Sequence, residues 1–417
     1  MPNAMNEFRE FDIVRVGAQG DGLAEGDGAP VFVPFTLPGE RVRTHVVGTR
    51  MQLHEILKAS PSRVTPICSH FGVCGGCALQ HMSSDNYGDW KRDQVIAAFG
   101  ARGIDAPVRD LVRPRGLRRR AVFTARKNTE LVEIGFHQAG THDLVDLLEC
   151  PVLDSHIVAV LPGLRTFIAP LMPKSDDVRV GVTMTGAGLD VTLDGVRRTL
   201  SPDVRTRIAR AAALLRLARV SIAQETIFES LPPFLRFGTV DVILPAGIFI
   251  QAMAEAEHVM TEHIMMALGK VKSVVDLFSG IGAFSFPIAT LAKVQAFDSD
   301  ARAIDALNAA VKKATGIKPV TARVRDLFRE PLSALELNDF DAVVFDPPRA
   351  GAEAQARMVA KSKVKTVVAV SCNPATLARD ARVLIDGGYT LEAVTPIDQF
   401  QYSPHIECVA IFKRVKS

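Results

Sequence analysis

The sequence has no long apolar run and no strong excess of charge of either sign. The nearest candidate for a membrane span, residues 281–292, falls short of the roughly 20 apolar residues required and includes Pro287. Lys and Arg total 49 against 46 Asp and Glu, so the net charge of +3 does not by itself indicate a nucleic-acid partner. The first ten residues offer no apolar segment for a secretory signal peptide. We therefore expect a cytoplasmic protein without a membrane span.

Cysteine is also scarce, with six residues in 417, which excludes a disulfide-stapled scaffold. Cys68, Cys74 and Cys77 lie close together, whereas Cys372 lies in a Ser-Cys-Asn-Pro turn. This distribution is typical of a cluster or metal site combined with a catalytic thiol. The length allows two or three globular domains, because a domain has roughly 150 residues.

The first part of the chain predicts a small barrel followed by a mixed domain. Short apolar alternations from residue 11 to about 59 are punctuated by glycines, which favours short strands and tight turns. Residues 113–244 predict short strands with a helix near 204–218. Residues 84–100 predict an amphipathic helix with the inner residues Trp90, Val95, Ile96 and Phe99.

The last third alternates strand-like and helical patterns, which predicts a parallel α/β sheet. The predicted strands are 273–278, 293–298, 342–346, 364–371 and 390–396. The predicted helices are 284–291, 301–315, 353–361 and 375–385.

Two turns at strand ends carry residues suited to binding a nucleotide. Residues 276–282 (DLFSGIG) end an apolar strand, and their glycines would let the backbone approach a ligand closely. The next strand ends in Asp298, which is placed to accept hydrogen bonds from ribose hydroxyls. Taken alone, the glycine turn is equally compatible with an ordinary tight turn.

Two further turns carry residues suited to catalysis. Two prolines stiffen residues 345–351 (FDPPRAG), and such a loop can hold Asp346 over a substrate. Cys372 precedes a predicted helix, whose positive terminus favours a thiolate nucleophile. A single cysteine at a strand end is also compatible with a small buried apolar residue.

All four turns are expected at one edge of the sheet, so together they indicate a single active site more specifically than any one of them does alone. In this combination the chain resembles the RNA uracil-5 methyltransferases, which form 5-methyluridine in 23S ribosomal RNA or in transfer RNA. Residues 371–380 match the family signature Ser-Cys-Asn-Pro-x-Thr-Leu-Ala-Arg-Asp throughout. The resemblance implies a class I, Rossmann-like, S-adenosylmethionine-dependent methyltransferase domain over residues 245–417.

The resemblance also implies the catalytic residues. Cys372 would add to C6 of uracil, and the resulting enolate would let C5 accept the methyl group. Glu407, in a motif similar to the family's His-x-Glu, would then remove the C5 proton. The alternative for Glu407 is a solvated acid on an edge strand. Tyr402-Ser403-Pro404 departs from the usual lead-in to this motif, which leaves the role of His405 open.

For S-adenosylmethionine, the resemblance implies contacts from Gln251, Phe278, Asp298, Asp326 and Asp346. Asp298 would bind the ribose, Asp326 would lie near the adenine, and Asp346 would lie by the methionine end and the target base. The family commonly has Asn where Met253 stands, Cys at Ser279 and Glu at Asp298. Because Asp has a shorter reach than Glu, Asp300 is a reserve candidate for the ribose contact.

Four of the other five cysteines resemble the pattern that binds a 4Fe-4S cluster in the ribosomal branch of the family. By spacing alone, four thiolates suit zinc nearly as well as an iron–sulfur cluster. The resemblance favours the cluster, which an α+β central domain over residues 61–244 would carry. Helix 84–100 of this central domain would pack on the catalytic domain. The implied ligands are Cys68, Cys74, Cys77 and Cys150.

The N-terminal residues 1–60 resemble a TRAM domain, an OB-like RNA-binding barrel. An arginine-rich segment follows in the central domain and predicts phosphate contacts, with a solvated charged face as the alternative. Its members are Arg113, Arg115, Arg118, Arg119 and Arg120. We expect a monomer that binds RNA, most simply 23S ribosomal RNA, and does not bind DNA.

Two alternatives stay open, and a third is disfavoured. Transfer RNA would undergo the same chemistry. A catalytically degenerate RNA-binding protein is compatible with the departures at Met253 and Ala283. Cytosine-5 methyltransferases carry an additional Pro-Cys in the loop that here contains Asp346, and its absence favours uracil.

Overall fold

The structure is a computed structural model that describes residues 8–25, 29–47, 50–128, 131–172, 177–196 and 200–414. Parts of the predicted barrel range, residues 1–7, 26–28 and 48–49, lie outside these residues, as do the last three residues of the predicted catalytic domain. Within the described residues the chain forms one five-stranded sheet, two seven-stranded sheets and one hairpin. None of the described helices is both long and apolar enough to cross a membrane.

The N-terminal unit is a curled antiparallel sheet. Its strands follow the order β3-β2-β1-β4-β5, and the edge strands β3 and β5 contact each other, as a small barrel requires. Alternate residues point inward and form a small core of Ile13, Ala24, Val33 and Val42. The strands are β1 (Arg9–Val16), β2 (Gly22–Glu25), β3 (Pro30–Val33), β4 (Arg41–Val47) and β5 (Arg50–Lys58).

The first helix, α1 (Ser84–Gly100), lies within the predicted central domain, residues 61–244, but packs on the seven-stranded sheet of the C-terminal unit. Val95 and Phe99 are fully buried in the same core as residues of that sheet. Trp90 faces a smaller core with Leu37 and Leu79. The prediction that Ile96 is an inner residue was wrong, because its side chain is 41% exposed.

The central unit is a mixed seven-stranded sheet covered by two helices. Its strand order is β12-β11-β10-β9-β6-β7-β8, and only β10 and β11 are parallel. The predicted helix 204–218 runs too far, because Arg216 adopts a left-handed φ of 54° and a fully buried strand starts at Leu217. The elements are β6 (Arg120–Asn128), β7 (Leu131–His137), β8 (Leu144–Asp146), α2 (Ser155–Ile168), β9 (Val178–Thr185), β10 (Gly188–Asp194), α3 (Pro202–Leu214), β11 (Leu217–Ile222) and β12 (Glu225–Glu229).

The C-terminal unit is a seven-stranded sheet of order β17-β16-β15-β18-β19-β21-β20 with helices on both faces. All pairs are parallel except those of β21. The preceding hairpin, β13 (Phe234–Phe237) and β14 (Val240–Ile243), contributes to the same core. The elements are α4 (Ala254–Leu268), β15 (Ser273–Leu277), α5 (Ser285–Ile288), β16 (Lys293–Asp298), α6 (Ala301–Val311), β17 (Val320–Val324), α7 (Ala334–Leu337), β18 (Ala342–Phe345), α8 (Glu353–Lys361), β19 (Thr366–Ser371), α9 (Pro374–Asp386), β20 (Tyr389–Ile397) and β21 (Glu407–Arg414).

The parallel α/β sheet expected from the sequence is therefore present, with all five predicted strands in place. The sequence reading omitted β17, β21 and α4. These elements matter for the site, because β21 begins at Glu407 and α4 begins just after Gln251.

Candidate functional site

The residues predicted for catalysis and for S-adenosylmethionine lie along one edge of the C-terminal sheet. The carboxyl ends of β15, β16, β18 and β19 meet there because these strands are parallel. β21 runs the opposite way, so its first residue lies at the same edge. The side chains brought to this edge are Phe278, Asp298, Asp346, Cys372 and Glu407.

Cys372 and Glu407 come together through the pairing of β19 with β21. Ser371 pairs with Cys408, so the same register continued by one residue sets Cys372 opposite Glu407. Burial raises the pKa of the Cys372 thiol to about 11, and the carboxylates of Glu407 and Asp346 add to this effect. The expected thiolate at the start of α9 is thus not the resting state, because burial outweighs the helix terminus.

Glu407 is buried on an inner strand, which excludes a solvated acid on an edge strand. Burial and the nearby Asp346 raise its pKa to about 8. Its Oε1 accepts a hydrogen bond of 3.1 Å from Nε2 of Gln399, while its Oε2 is buried without a partner. Glu407 therefore has one fixed oxygen and one oxygen free to receive a proton.

A chain of side-chain hydrogen bonds joins the two predicted parts of the site. Nε2 of Gln251 donates to Asp346 at 2.8 Å, and Oε1 of Gln251 accepts from Nε2 of Gln399 at 2.8 Å. Burial raises the pKa of Asp346 to about 7, although Gln251 opposes this rise. Gln399, which the sequence analysis did not single out, is the link between Gln251 and Glu407.

The polar residues of the signature hold the proline loop, residues 346–352, against α9. Asn373 caps α9, because its Oδ1 accepts from the N–H of Ala375. Its Nδ2 donates to the carbonyl of Arg349 at 3.1 Å. Thr376 donates to the same carbonyl. Arg379 and Asp380 bind two further backbone groups of the loop. The signature thus fixes Asp346 and Cys372 relative to each other.

The glycine turn after β15 forms an open backbone cradle. Phe278 and Gly280 both have left-handed φ angles, of 61° and 53°, and nothing lies within 4 Å of a Cβ placed on Gly280. The N–H of Gly280 donates to Asp298 at 2.8 Å. The reserve candidate Asp300 is instead engaged as the cap of α6. Both oxygens of Asp298 accept a backbone N–H, the second from Asp300 at 2.8 Å, whereas Asp300 in addition pairs with the side chain of Arg302. Asp298 therefore keeps more acceptor capacity than Asp300 for a ligand.

Asp276, at the end of β15, was missed by the sequence analysis as a site residue. It is fully buried, and its Oδ2 accepts from the hydroxyl of Ser285 at 2.5 Å. Its Oδ1 has no partner, and burial raises its pKa to about 7. An apolar strand that ends in an acid was the available signal.

Asp326 lies at the periphery of this edge, on the turn after β17. Its carboxylate accepts from the backbone N–H groups of Phe328 and Arg329. The Phe328 ring stands 5.4 Å from the ring of Phe278. This contact brings the turn that carries Asp326 to the glycine cradle.

Residues 398–405, the base segment, precede Glu407. This segment is anchored by α1. Nζ of the fully buried Lys91 donates to Asp398 at 2.5 Å and to the carbonyls of Phe400 and His405. Tyr87 donates to Asp398 and accepts from the backbone of the base segment. Sequence reasoning missed this anchor because its partners lie more than 300 residues apart.

His405 contacts the proline loop. Nη2 of Arg349 lies 3.1 Å from Nε2 of His405. Since guanidinium is only a donor, this nitrogen accepts and the ring is neutral. Burial and Arg349 both lower the pKa of His405. In this structure His405 positions Arg349.

The four predicted cluster cysteines line a separate cavity of about 90 Å³, together with Gln80, Arg118 and apolar side chains. Gly75 lies in the cysteine loop, residues 68–80, where a Cβ would stand 2.7 Å from the carbonyl of His137. A side chain is therefore excluded there. In the described part of the chain, no three His, Cys, Asp or Glu residues are close enough to hold a single metal ion.

The predicted arginine patch is largely engaged within the chain. Arg113 binds Ser84, Arg118 donates to the carbonyl of Gln401, and Arg119 pairs with Glu257 at 2.7 Å. The guanidinium of Arg120 lies over the exposed ring of Phe249. Three of the five arginines thus make contacts within the fold, while Arg113 and Arg115 are exposed.

Comparisons with known proteins agree with this geometry. The profile of the tRNA (uracil-5-)-methyltransferase family matches residues 218–415. An uncharacterized RNA methyltransferase of Caulobacter vibrioides is 46% identical over 98% of this chain and 100% of its own length. A 23S rRNA (uracil(1939)-C(5))-methyltransferase of Halomonas elongata is 32% identical over 98% of this chain and 90% of its own.

One solved structure shares the fold over nearly the whole chain. It is a tRNA (uracil-54, C5)-methyltransferase of Pyrococcus abyssi in complex with S-adenosyl-L-homocysteine. The TM-score is 0.76 at 22% identity, and the likeness covers 97% of this chain and 100% of that one.

Proposed function

Since the chain belongs to the RNA uracil-5 methyltransferases, we propose that it methylates C5 of a uridine in 23S ribosomal RNA, with S-adenosylmethionine as the methyl donor. The observation that carries this proposal is the meeting of Cys372, Asp346 and Glu407 at one sheet edge. The near full-length similarity to the Halomonas enzyme supports ribosomal RNA as the substrate.

Cys372 is the proposed nucleophile. C5 of uracil is too weak a carbon nucleophile to attack a methyl sulfonium unaided. Addition of the Cys372 thiolate to C6 moves electrons toward O4 and makes C5 enolate-like. Because the resting thiol is protonated, Cys372 must release its proton to solvent as the substrate binds, and the positive charge of Arg349 favours that loss.

S-adenosylmethionine would supply an electrophilic methyl group. The open cradle at Gly280 leaves room for the cofactor close to the protein backbone. The unshared lone pairs of Asp298 suit the hydroxyl groups of its ribose. Phe278 and Asp326 would hold the adenine side. Gln251 and Asp346 would hold the methionine end, next to the target base.

Glu407 is the proposed base that removes the C5 proton after methyl transfer. The proton would go to its free Oε2, and the electrons of the C5–H bond would then expel the Cys372 thiolate from C6. Its raised pKa matches a group that must take up a proton near neutral pH.

We also propose that Cys68, Cys74, Cys77 and Cys150 hold a 4Fe-4S cluster. The supports are the shared cavity of four thiols, its apolar lining and the close backbone approach at Gly75. The N-terminal barrel is proposed as a TRAM domain that contacts RNA.

The test is methyl transfer from labelled S-adenosylmethionine to total RNA that lacks 5-methyluridine, followed by size separation and nucleoside mass spectrometry. We expect labelled 5-methyluridine in the large ribosomal RNA. Label in the transfer-RNA fraction would keep the chemistry and overturn the substrate. No label, with RNA still bound, would favour a catalytically degenerate RNA-binding protein.

A further inference from the structure

Gln399 occupies a position between the two halves of the site. Its side chain is buried, and a single nitrogen, Nε2, donates both to Oε1 of Gln251 and to Oε1 of Glu407. An amide nitrogen carries two protons, so both donors are used. Its own carbonyl oxygen is buried without a partner.

The direction of these hydrogen bonds favours one protonation state of Glu407. An N–H group pointing at a carboxyl oxygen stabilises the ionised form. The orientation is fixed because Gln251 donates to Asp346 and so must present its carbonyl to Gln399. Gln399 therefore cannot turn its oxygen toward Glu407 without losing the bond to Gln251.

The backbone on both sides of Gln399 is held firmly. Asp398 is clamped by Lys91 and Tyr87, and the carbonyl of Phe400 accepts from Lys91. The amide of Gln399 is thus presented to Glu407 by a rigid support.

We propose that Gln399 is a positioning residue for the removal of the C5 proton, which it serves by holding Glu407 in place and by favouring its ionised form. This inference rests on the proposed function. The groups that face Glu407 are Asp346 and Arg349 from the proline loop and Cys372 at the start of α9. Cys408, the next residue of β21, points to the opposite face of the sheet and into the core. Of these, Asp346 opposes ionisation of Glu407, while Gln399 and Arg349 favour it.

The test compares wild type with Gln399→Met, which keeps the shape of the side chain but removes both N–H donors. Single-turnover reactions would follow the covalent protein–RNA adduct and the released 5-methyluridine RNA from pH 6 to 10. At neutral pH we expect release to slow by about tenfold or more, because a hydrogen bond to a charged group is lost. The adduct should accumulate, and the pH of half-maximal release should rise by about one unit.

Gln399→Glu gives a second, graded variant of the same size. It replaces the donor with an acceptor, so half-maximal release should move to higher pH than in Gln399→Met. Binding of S-adenosylmethionine should stay within about fivefold of wild type in Gln399→Met, since only one neutral hydrogen bond of Gln251 is lost. Thr395→Val, on the neighbouring β20, removes a buried hydroxyl that has no partner and should behave as wild type.

Release by Gln399→Met with the rate and pH dependence of wild type would overturn the inference. So would an equal loss of methyl transfer and release with an unchanged pH dependence, because that would indicate a structural role alone. A wild-type protein that forms neither adduct nor 5-methyluridine would overturn the proposed function itself.

Discussion

At the scale of single residues, the chemistry depends on a half-buried thiol, Cys372, and a buried carboxyl, Glu407, whose pKa values are both raised. Burial raises the pKa of Cys372 to about 11 and that of Glu407 to about 8. Both groups must be ionised to act, so the active fraction of each increases as the pH rises. We expect the single-turnover rate of 5-methyluridine formation to climb from pH 6 to 9. A rate that falls across this range would contradict these assignments.

Replacing Cys372 with Ala should abolish methyl transfer, because Cys372 is the proposed source of the thiolate that adds to C6. Binding of S-adenosylmethionine should persist, since its proposed contacts lie on other turns. Labelled methyl transfer and a binding titration measure the two effects. Cys408→Ala is the matched control: its thiol is fully buried in the core behind the site, and methyl transfer should be retained. Turnover by the Cys372 variant would rule out the mechanism.

Glu407→Gln should separate the two halves of the reaction. The amide keeps the size of the side chain but cannot accept the C5 proton, so methyl transfer can occur while release cannot. We expect a protein–RNA adduct that survives denaturation and contains the transferred methyl label. Rapid release of 5-methyluridine RNA from this variant would assign the base to another residue.

These residues differ in how far the sequence predicted them. Cys372 and Asp346 lie within contiguous motifs, which a single sequence shows directly. Gln399 and Lys91 lack such motifs, and their roles arise from contacts with residues far away in the chain. The raised pKa of Cys372 could not be read from the turn alone, because burial is a property of the fold.

At the scale of elements, α1 is joined to the C-terminal sheet by the apolar packing of Val95 and Phe99, and to the base segment by one buried ion pair, Lys91 with Asp398. Lys91→Met leaves the Asp398 carboxylate buried with Tyr87 as its remaining side-chain donor. We expect a loss of about 3–5 kcal/mol in the free energy of unfolding, measured by denaturant titration.

A second substitution tests whether that loss comes from the unpaired charge. Lys91→Met combined with Asp398→Asn removes both charges, so much of the stability should return. Equal stability of the single and double variants would mean that packing of α1, and not charge, holds the base segment.

Two of the elements that the sequence analysis missed, β17 and α4, lack the usual sequence signals of a strand or a helix. β17 is an edge strand in which only Val320 is buried, so its apolar pattern is weak. α4 starts after Met253, whose side chain gives no capping hydrogen bond, so the usual start signal is missing. The predicted strands β18 and β19, in contrast, are fully buried and rich in valine.

At the scale of the whole molecule, the cysteine loop and the base segment are directly bonded. The N–H groups of Ala78 and Leu79 both donate to the carbonyl of Tyr402, at 2.8 and 3.1 Å. Arg118 donates to Gln401 from its side chain, while its backbone bonds to the turn that follows Cys150. Order in the loop that carries the proposed cluster therefore supports the segment that leads to Glu407.

Removing the proposed cluster should loosen this junction before it affects the catalytic sheet. Without a group that ties Cys77 to the other thiols, the adjoining residues lose their support and open locally. We expect amide hydrogen exchange at Ala78 and Leu79 to quicken by about tenfold or more in chelator-treated protein. Cys77→Ser should show the same change.

The fully buried amides of β19, such as that of Val368, serve as the internal reference and should exchange as before. The prediction concerns mobility and so does not depend on activity. Unchanged exchange at Ala78 and Leu79 after chelation would mean that the base segment holds the cysteine loop, and not the reverse. The buried Lys91–Asp398 pair would then suffice to fix the position of Glu407 without any group bound by the four cysteines.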